Sequence, residues 1–401
     1  MQLRANPVPS FIHSESELQM ETLLGKVGRA SDYYHGAVNV PVFHTSTVVF
    51  PSLKAFQDSE KNSFETLCYG RLGNPTTWAF EAAIAQLEGG YKGIIAPSGL
   101  MIITTVLLAF TKAGQHVLIP ESVYGGVRRF CENVLSELNI SVEFYPNSIN
   151  SKMKELIRPN TSLIYVETPT SIDFKMTDLP AITRIAKKSN IPVIVDNTWA
   201  TPLYYQPLRH GADVSIHSAT KYILGHSDAL LGIAVCNQKT WPIVKKMSYF
   251  LGVSVNSDDA FLGLRGIRTL GIRMQRHQSS ALKIAKWLQK QPEVARVYYP
   301  ALQEDTGYRL WKRDFTGASG RFSIQLKKAN YDSIASLLNQ LQHFSLGFSW
   351  GGFESMIVPV HLNSSKKNLL QETTFCLSIG LEDPEDLIED LAKGLRRLKM
   401  R

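Results

Sequence analysis

Lys221 stands in SATKYILGHSDALLG (218–232), between two hydroxyl residues and an apolar, glycine-punctuated stretch, directly after the strand-like DVSIH. The next charge along the chain is Asp228, seven residues on. A lysine so placed either lays its stem on the core and lets its head snorkel to water, or its nitrogen does chemistry. Partly apolar surroundings lower an amine's pKa and suit it to Schiff-base formation. Ser218 and Thr220 offer hydroxyls to an anion beside it. Asp196 closes the apolar run IPVIVD, and open parallel sheets bind ligands beyond the carboxyl ends of their strands. Capping the next element is the plainer role for that carboxylate. In APSGLMIITTV (96–106) a strand-like GIIAP turns at Ser98-Gly99 into an apolar helix. Free amides at such a start suit a phosphate, although an ordinary strand-to-helix turn reads the same way.

Some set of elements must bring these residues together. HVLIP (116–120), SVEFYP (141–146), SLIYVE (162–167), PVIVD (192–196), DVSIH (213–217) and GIAVC (232–236) are short, β-branched and apolar at nearly every position. That is the pattern of strands buried on both faces of a mostly parallel sheet. Amphipathic stretches such as LPAITRIAKKSN lie between them, so the class is α/β with helices on both faces. Beyond about residue 268 the pattern changes to a helix-like SALKIAKWLQKQ, the strands ARVYYP and RFSIQL, and a closing EDLIEDLAKGLRRL in which Leu387, Leu391, Leu395 and Leu398 recur at helical spacing. The expected division is an arm or segment over 1–73 packed on a neighbouring subunit, an α/β domain over 74–267, and a smaller α+β domain over 268–401.

The totals exclude several functions. With 43 basic and 35 acidic residues among 401 the chain carries +8, but the excess is scattered and no nucleic-acid module is visible. Four widely spaced cysteines without a CxxC argue against a disulfide framework or a zinc site, so no metal is expected. The longest apolar run, LMIITTVLLAF, is about half the roughly 20 residues of a membrane span. The N-terminus lacks the apolar core of a signal peptide, and a cytoplasmic location without membrane partners is the expectation.

Lys221, Asp196, Ser218, Thr220 and the Ser98-Gly99 helix start are together the parts of a pyridoxal 5'-phosphate (PLP) site: a lysine to bond the cofactor, an aspartate for its pyridine nitrogen, hydroxyls and amides for its phosphate. The chain also resembles the Cys/Met-metabolism PLP enzymes over nearly its full length, and within them the bacterial cystathionine β-lyases. The segments that carry the resemblance are YGRLGNPT (69–76), LEGG (87–90), PSGL (97–100), VDNTWATP (195–202), SATKYILGHSDALLG (218–232), LRGIRTLGIRM (264–274), WKRDFTGASG (311–320), FSWGGFESM (348–356) and LSIGLEDPEDLI (377–388).

The resemblance implies the aspartate-aminotransferase type (fold type I) with its mostly parallel central sheet. It implies that Lys221 bonds the cofactor and then moves protons, that Asp196 pairs with the ring nitrogen, and that Tyr124 stacks on the ring. Gly99 and Leu100 would give amides to the phosphate, and Ser218 and Thr220 their hydroxyls. Tyr69 and Arg71 would reach the phosphate of a neighbouring subunit, which implies a homotetramer made of two catalytic dimers. Trp350, with Ser349 before it, and Tyr249 would line the substrate end. Trp350 marks the β-lyases, because the γ-specific members usually carry a small or leucine-like residue there. The implied reaction converts L-cystathionine to homocysteine, pyruvate and ammonia. One departure stands out: the arginine that the resemblance calls for directly before LSIG, as the clamp for the substrate carboxylate, is Cys376 here. A thiol cannot replace two charge-assisted hydrogen bonds. Another basic residue, another amino-acid substrate (a cysteine conjugate, cysteine itself, or the substrate of a racemase) and weak activity on cystathionine are all left open by the sequence.

Overall fold

A computed structural model describes residues 18–61, 63–327, 330–360 and 374–398; of the expected N-terminal arm, residues 1–17 lie outside the described residues. Seven strands form the larger sheet: β1 (Lys92–Ala96), β2 (His116–Pro120), β3 (Ser141–Tyr145), β4 (Thr161–Glu167), β5 (Val193–Asp196), β6 (Val214–Ser218) and β7 (Gly232–Cys236). Their order is β1-β7-β6-β5-β4-β2-β3. From β3 to β6 every pairing is parallel, and β7 alone runs the other way between β6 and β1. The apolar runs account for this. β2, β5 and β7 are buried almost throughout, as strands covered by helices on both faces must be. SVEFY departs from the expectation of full burial, because β3 ends the sheet and leaves Ser141 exposed.

The topology gathers the chemistry at one edge. Parallel pairing sets Asp196 beside Glu167 on one side and Ile216 on the other. The antiparallel β7 then sets its first residue, Gly232, opposite both Ser218 and Ala96. The end of β1, and the helix Gly99–Ala109 that follows it, are thereby brought to the end of β6. A Cβ on Gly232 would lie 2.3 Å from the carbonyl oxygen of Ser98, so only glycine permits the approach.

A second, antiparallel sheet has the order β10-β11-β9-β8, from β8 (Val294–Tyr298), β9 (Arg321–Leu326), β10 (Met356–Val360) and β11 (Thr374–Ser378). The helices Leu270–Leu288 and Pro384–Leu395 pack together beside it. Leu387, Leu391, Leu395 and Leu398 are all buried, as their spacing requires; each stabilises the fold by roughly 1.5–3 kcal/mol. Among the described residues, no helix is long and apolar enough to cross a membrane.

Candidate active site

Lys221 leaves β6 three residues past the strand end, in a turn closed by its own amide on the Ser218 carbonyl. Arg273 fixes the far side of that turn. Its buried guanidinium donates to the carbonyls of Tyr222 (2.6 Å), Ile223 (3.3 Å) and Gly266 (2.8 Å). The Lys221 Nζ donates to Ser349 Oγ at 2.6 Å and lies 5.5 Å from the centre of the Trp350 ring. Burial first, and the nearby Arg321 charge second, hold its pKa down to about 8. A large fraction of this amine is therefore neutral near pH 8, the form a nucleophile or base needs.

The elements expected to hold a phosphate meet at the helix start. Ser98 caps the helix Gly99–Ala109, its hydroxyl accepting from the Met101 amide at 3.1 Å. The Gly99 and Leu100 amides have no protein acceptor among the described residues, as expected for the first turn of a helix. Gly99 lies against Ser218, where a Cβ would come within 2.5 Å of the Ser218 Cβ and Oγ. Two free amides and the Ser218 hydroxyl thus share one cradle, the donor set an anion requires, and PLP fits it. Thr220 also has a second engagement. Its hydroxyl donates to the Leu231 carbonyl (3.2 Å) and accepts from the Leu231 amide (2.9 Å), bracing the lysine turn against the start of β7.

At the end of β5, Asp196 accepts from the Thr198 amide (2.9 Å) and the Tyr165 hydroxyl (3.3 Å). Its register neighbour Glu167 is buried and accepts from the Tyr124 amide at 2.9 Å. Burial, then the charge of Asp196, push the Glu167 carboxyl well above its ordinary value. Tyr124 is half-exposed, and its ring lies over Gly126, where a Cβ would be 2.5 Å from Cε1.

Beside Trp350 lies a cation that sequence reasoning missed. Arg321, the first residue of β9, lies 4.5 Å from the centre of the Trp350 ring, and its Nε donates to Cys376 Sγ at 3.2 Å. Trp350 also meets Tyr222 edge-on at 5.4 Å. A lone basic residue in GASGRFSIQL was the available signal, but it means something only once β9 is known to pair with β11. Glu167 was missed likewise, as one more strand-end carboxylate.

Tyr69, Arg71 and Tyr249 do not join this group within one chain. Arg71 donates to the Tyr249 carbonyl at 3.3 Å and stacks on its ring at 4.9 Å. Tyr69 is exposed and bridges to Thr47. Among the described residues, none of the hydrogen bonds or ring contacts of these three reaches Lys221.

The model of the Cys/Met metabolism PLP-dependent enzyme family matches residues 21–396. The cystathionine beta-lyase MetC of Escherichia coli is 39% identical, over 96% of this chain and all of that one. An L-alanine/L-glutamate racemase of Wolbachia pipientis is 37% identical, over 95% of this chain and 98% of its own. In three dimensions the chain superposes on metB from Corynebacterium glutamicum with a TM-score of 0.89, at 30% identity, over 96% of this chain and 100% of that one. That likeness bears out the α/β fold expected from the strand pattern.

Proposed function

We propose that this chain, which belongs to the Cys/Met metabolism PLP-dependent enzymes, is a cystathionine β-lyase. It would cleave the Cβ–S bond of L-cystathionine and, with one water, give homocysteine, pyruvate and ammonia. The observation that carries the reading is the half-buried Lys221 amine, 2.6 Å from Ser349 Oγ and 5.5 Å from the centre of the Trp350 ring.

PLP, when bound, supplies an electron sink for negative charge at the substrate Cα. The chain's own groups do the rest. The Gly99 and Leu100 amides and the Ser218 hydroxyl bind the phosphate, while Thr220 holds the turn that carries Lys221. Asp196 pairs with the pyridine nitrogen and holds a proton on it. Tyr124 covers the ring. Lys221 Nζ takes the Cα proton and hands a proton to the departing sulfur, and Ser349 fixes that nitrogen between the two. Trp350 excludes water from the side chain being cleaved. Tyr69, Arg71 and Tyr249 complete the site of a second copy, in a homotetramer working in the cytoplasm.

Pyruvate release from L-cystathionine by the cofactor-loaded protein tests the reading. A kcat/KM of about 10⁴ M⁻¹s⁻¹ or more is expected of a dedicated enzyme. A value orders of magnitude lower, with the cofactor fully bound, would refute it. Cys376 favours a second reading, in which the same Lys221 removes the Cα proton of a different amino acid, and the racemase relative gives that reading a concrete form. Pyruvate assays across amino acids, with chiral analysis of alanine and glutamate, separate the two.

A further inference from the structure

We infer that Arg321 is the group that binds the α-carboxylate of the amino-acid substrate. The inference rests on the proposal that the site works on an amino acid bound through Lys221's cofactor, and it holds for whichever amino acid that is. An amino acid whose Cα lies within reach of Lys221 Nζ brings a carboxylate into a half-buried space. A carboxylate there needs a fixed cation with two donors, because an unpaired buried charge is costly.

Arg321 meets each requirement. It shares the Trp350 ring with Lys221, the guanidinium 4.5 Å and the amine 5.5 Å from the ring centre. Its Nε is tied to Cys376 Sγ, which orients the plane over the Trp350 and Phe174 rings, and its two terminal nitrogens have no hydrogen-bond or ion-pair partner among the described residues. The fork is therefore aimed but unspent. Other guanidiniums on neighbouring elements are committed: Arg273 to three backbone carbonyls, Arg276 to the Glu382 carbonyl and Asp383, Arg313 to Asp178 and Asp314.

The register explains how the position came to be served from β9. Cys376 pairs with Ser323, and Arg321 with Ser378, so positions 321 and 376 are diagonal neighbours on adjacent strands. A long side chain from either reaches the same space. Cys376, small and neutral, leaves room for the Arg321 stem and supplies an acceptor for its Nε. Two arginines there would repel each other, so the thiol and the guanidinium are read as a matched pair.

The test compares L-alanine with L-alaninamide, neither of which has a leaving group. Each is titrated into cofactor-loaded protein and followed by the cofactor's absorbance. Wild type is expected to bind the acid roughly 30-fold to 1,000-fold more tightly than the amide, after correction for their amine pKa values. Arg321→Leu is expected to bring that ratio close to one while keeping the cofactor. Arg321→Leu combined with Cys376→Arg is expected to restore it. The ratio is internal to each protein, so a general loosening of the site does not produce its collapse. Arg321→Gln serves the same purpose if the leucine variant fails to fold. A wild-type protein that does not discriminate, or that binds neither ligand, overturns the inference, and so does an Arg321 variant that keeps the full ratio. If the ratio behaves as expected but cystathionine is not cleaved, the β-lyase reading fails and the carboxylate assignment stands.

Discussion

Lys221 Nζ donates to Ser349 Oγ across 2.6 Å, and Ser349 makes that contact from a backbone φ of 109°. A non-glycine residue rarely adopts this conformation, and holding it costs on the order of 1–3 kcal/mol. The loop is pinned by its neighbour: a Cβ on Gly351 would meet the Lys221 and Tyr222 backbone at 3.0–3.2 Å. The serine is thus kept where glycine would be easier, and its hydroxyl is the gain. Ser349→Ala and Ser349→Gly should both lower turnover about tenfold, the worth of one hydrogen bond to the reactive amine. They should differ in melting temperature, with Ser349→Gly the more stable because only glycine relieves the φ. Equal melting points would mean that the loop is not strained.

The depressed pKa of Lys221 gives a pH dependence with a definite sign. Its folded value of about 8 lies below the ordinary 10.5, so between those values the unfolded chain binds more protons. On this group's account, stability of cofactor-free protein should rise with pH from about 8 to 10.5 and be flat below 8. Reactivity of Lys221 toward an amine-acylating reagent should inflect near pH 8. Arg321→Leu removes the cation that helps lower the value and should move the inflection upward. An inflection near 10.5 in the parent protein would show the amine to be solvated.

The parts of this site that could be read in the sequence are those set by local pattern. β2, β5, β6 and β7 announce themselves as short β-branched runs, and Asp196 and Lys221 follow from where those runs end. β10 and β11 were not legible. MIVPV carries Pro359 and lies at the edge of its sheet, where proline is tolerated but spoils the strand signal, and TFCLS is short and mixed in character. Arg321 was illegible for a different reason. Its partner Cys376 is 55 residues away, and nothing in either segment states the register that joins them. Thr220 was placed rightly beside the lysine, but the engagement of its hydroxyl by Leu231 depends on β7 folding back antiparallel.

Asp196→Asn separates holding the cofactor from activating it. The Thr198 amide can still donate to the amide oxygen of the new side chain, and the phosphate cradle at Gly99, Leu100 and Ser218 is untouched. The variant should retain the cofactor, yet lose turnover by roughly 10³-fold or more, because a neutral side chain cannot keep the pyridine nitrogen protonated. Loss of the Asp196 charge should also let Glu167 ionise at a lower pH, since that charge helps push its carboxyl up. Turnover within tenfold of the parent would remove Asp196 from the mechanism.

Gly99→Ala should do the reverse. The added methyl would lie 2.5 Å from the Ser218 Cβ and Oγ and 3.0 Å from its Cα. Ser218 cannot swing clear, because its backbone is held by strand pairing to Gly232 and by the Thr198 hydroxyl that accepts from its amide at 2.8 Å. The helix start must shift instead, carrying the Gly99 and Leu100 amides away from the Ser218 hydroxyl. Cofactor affinity should fall about tenfold or more, as two charge-assisted hydrogen bonds weaken. Turnover at saturating PLP should recover most of the parent rate, because Lys221, Ser349 and Asp196 keep their geometry. Equilibrium dialysis against PLP, paired with rates at rising cofactor concentration, measures both halves. Unchanged affinity would mean that the phosphate is held elsewhere.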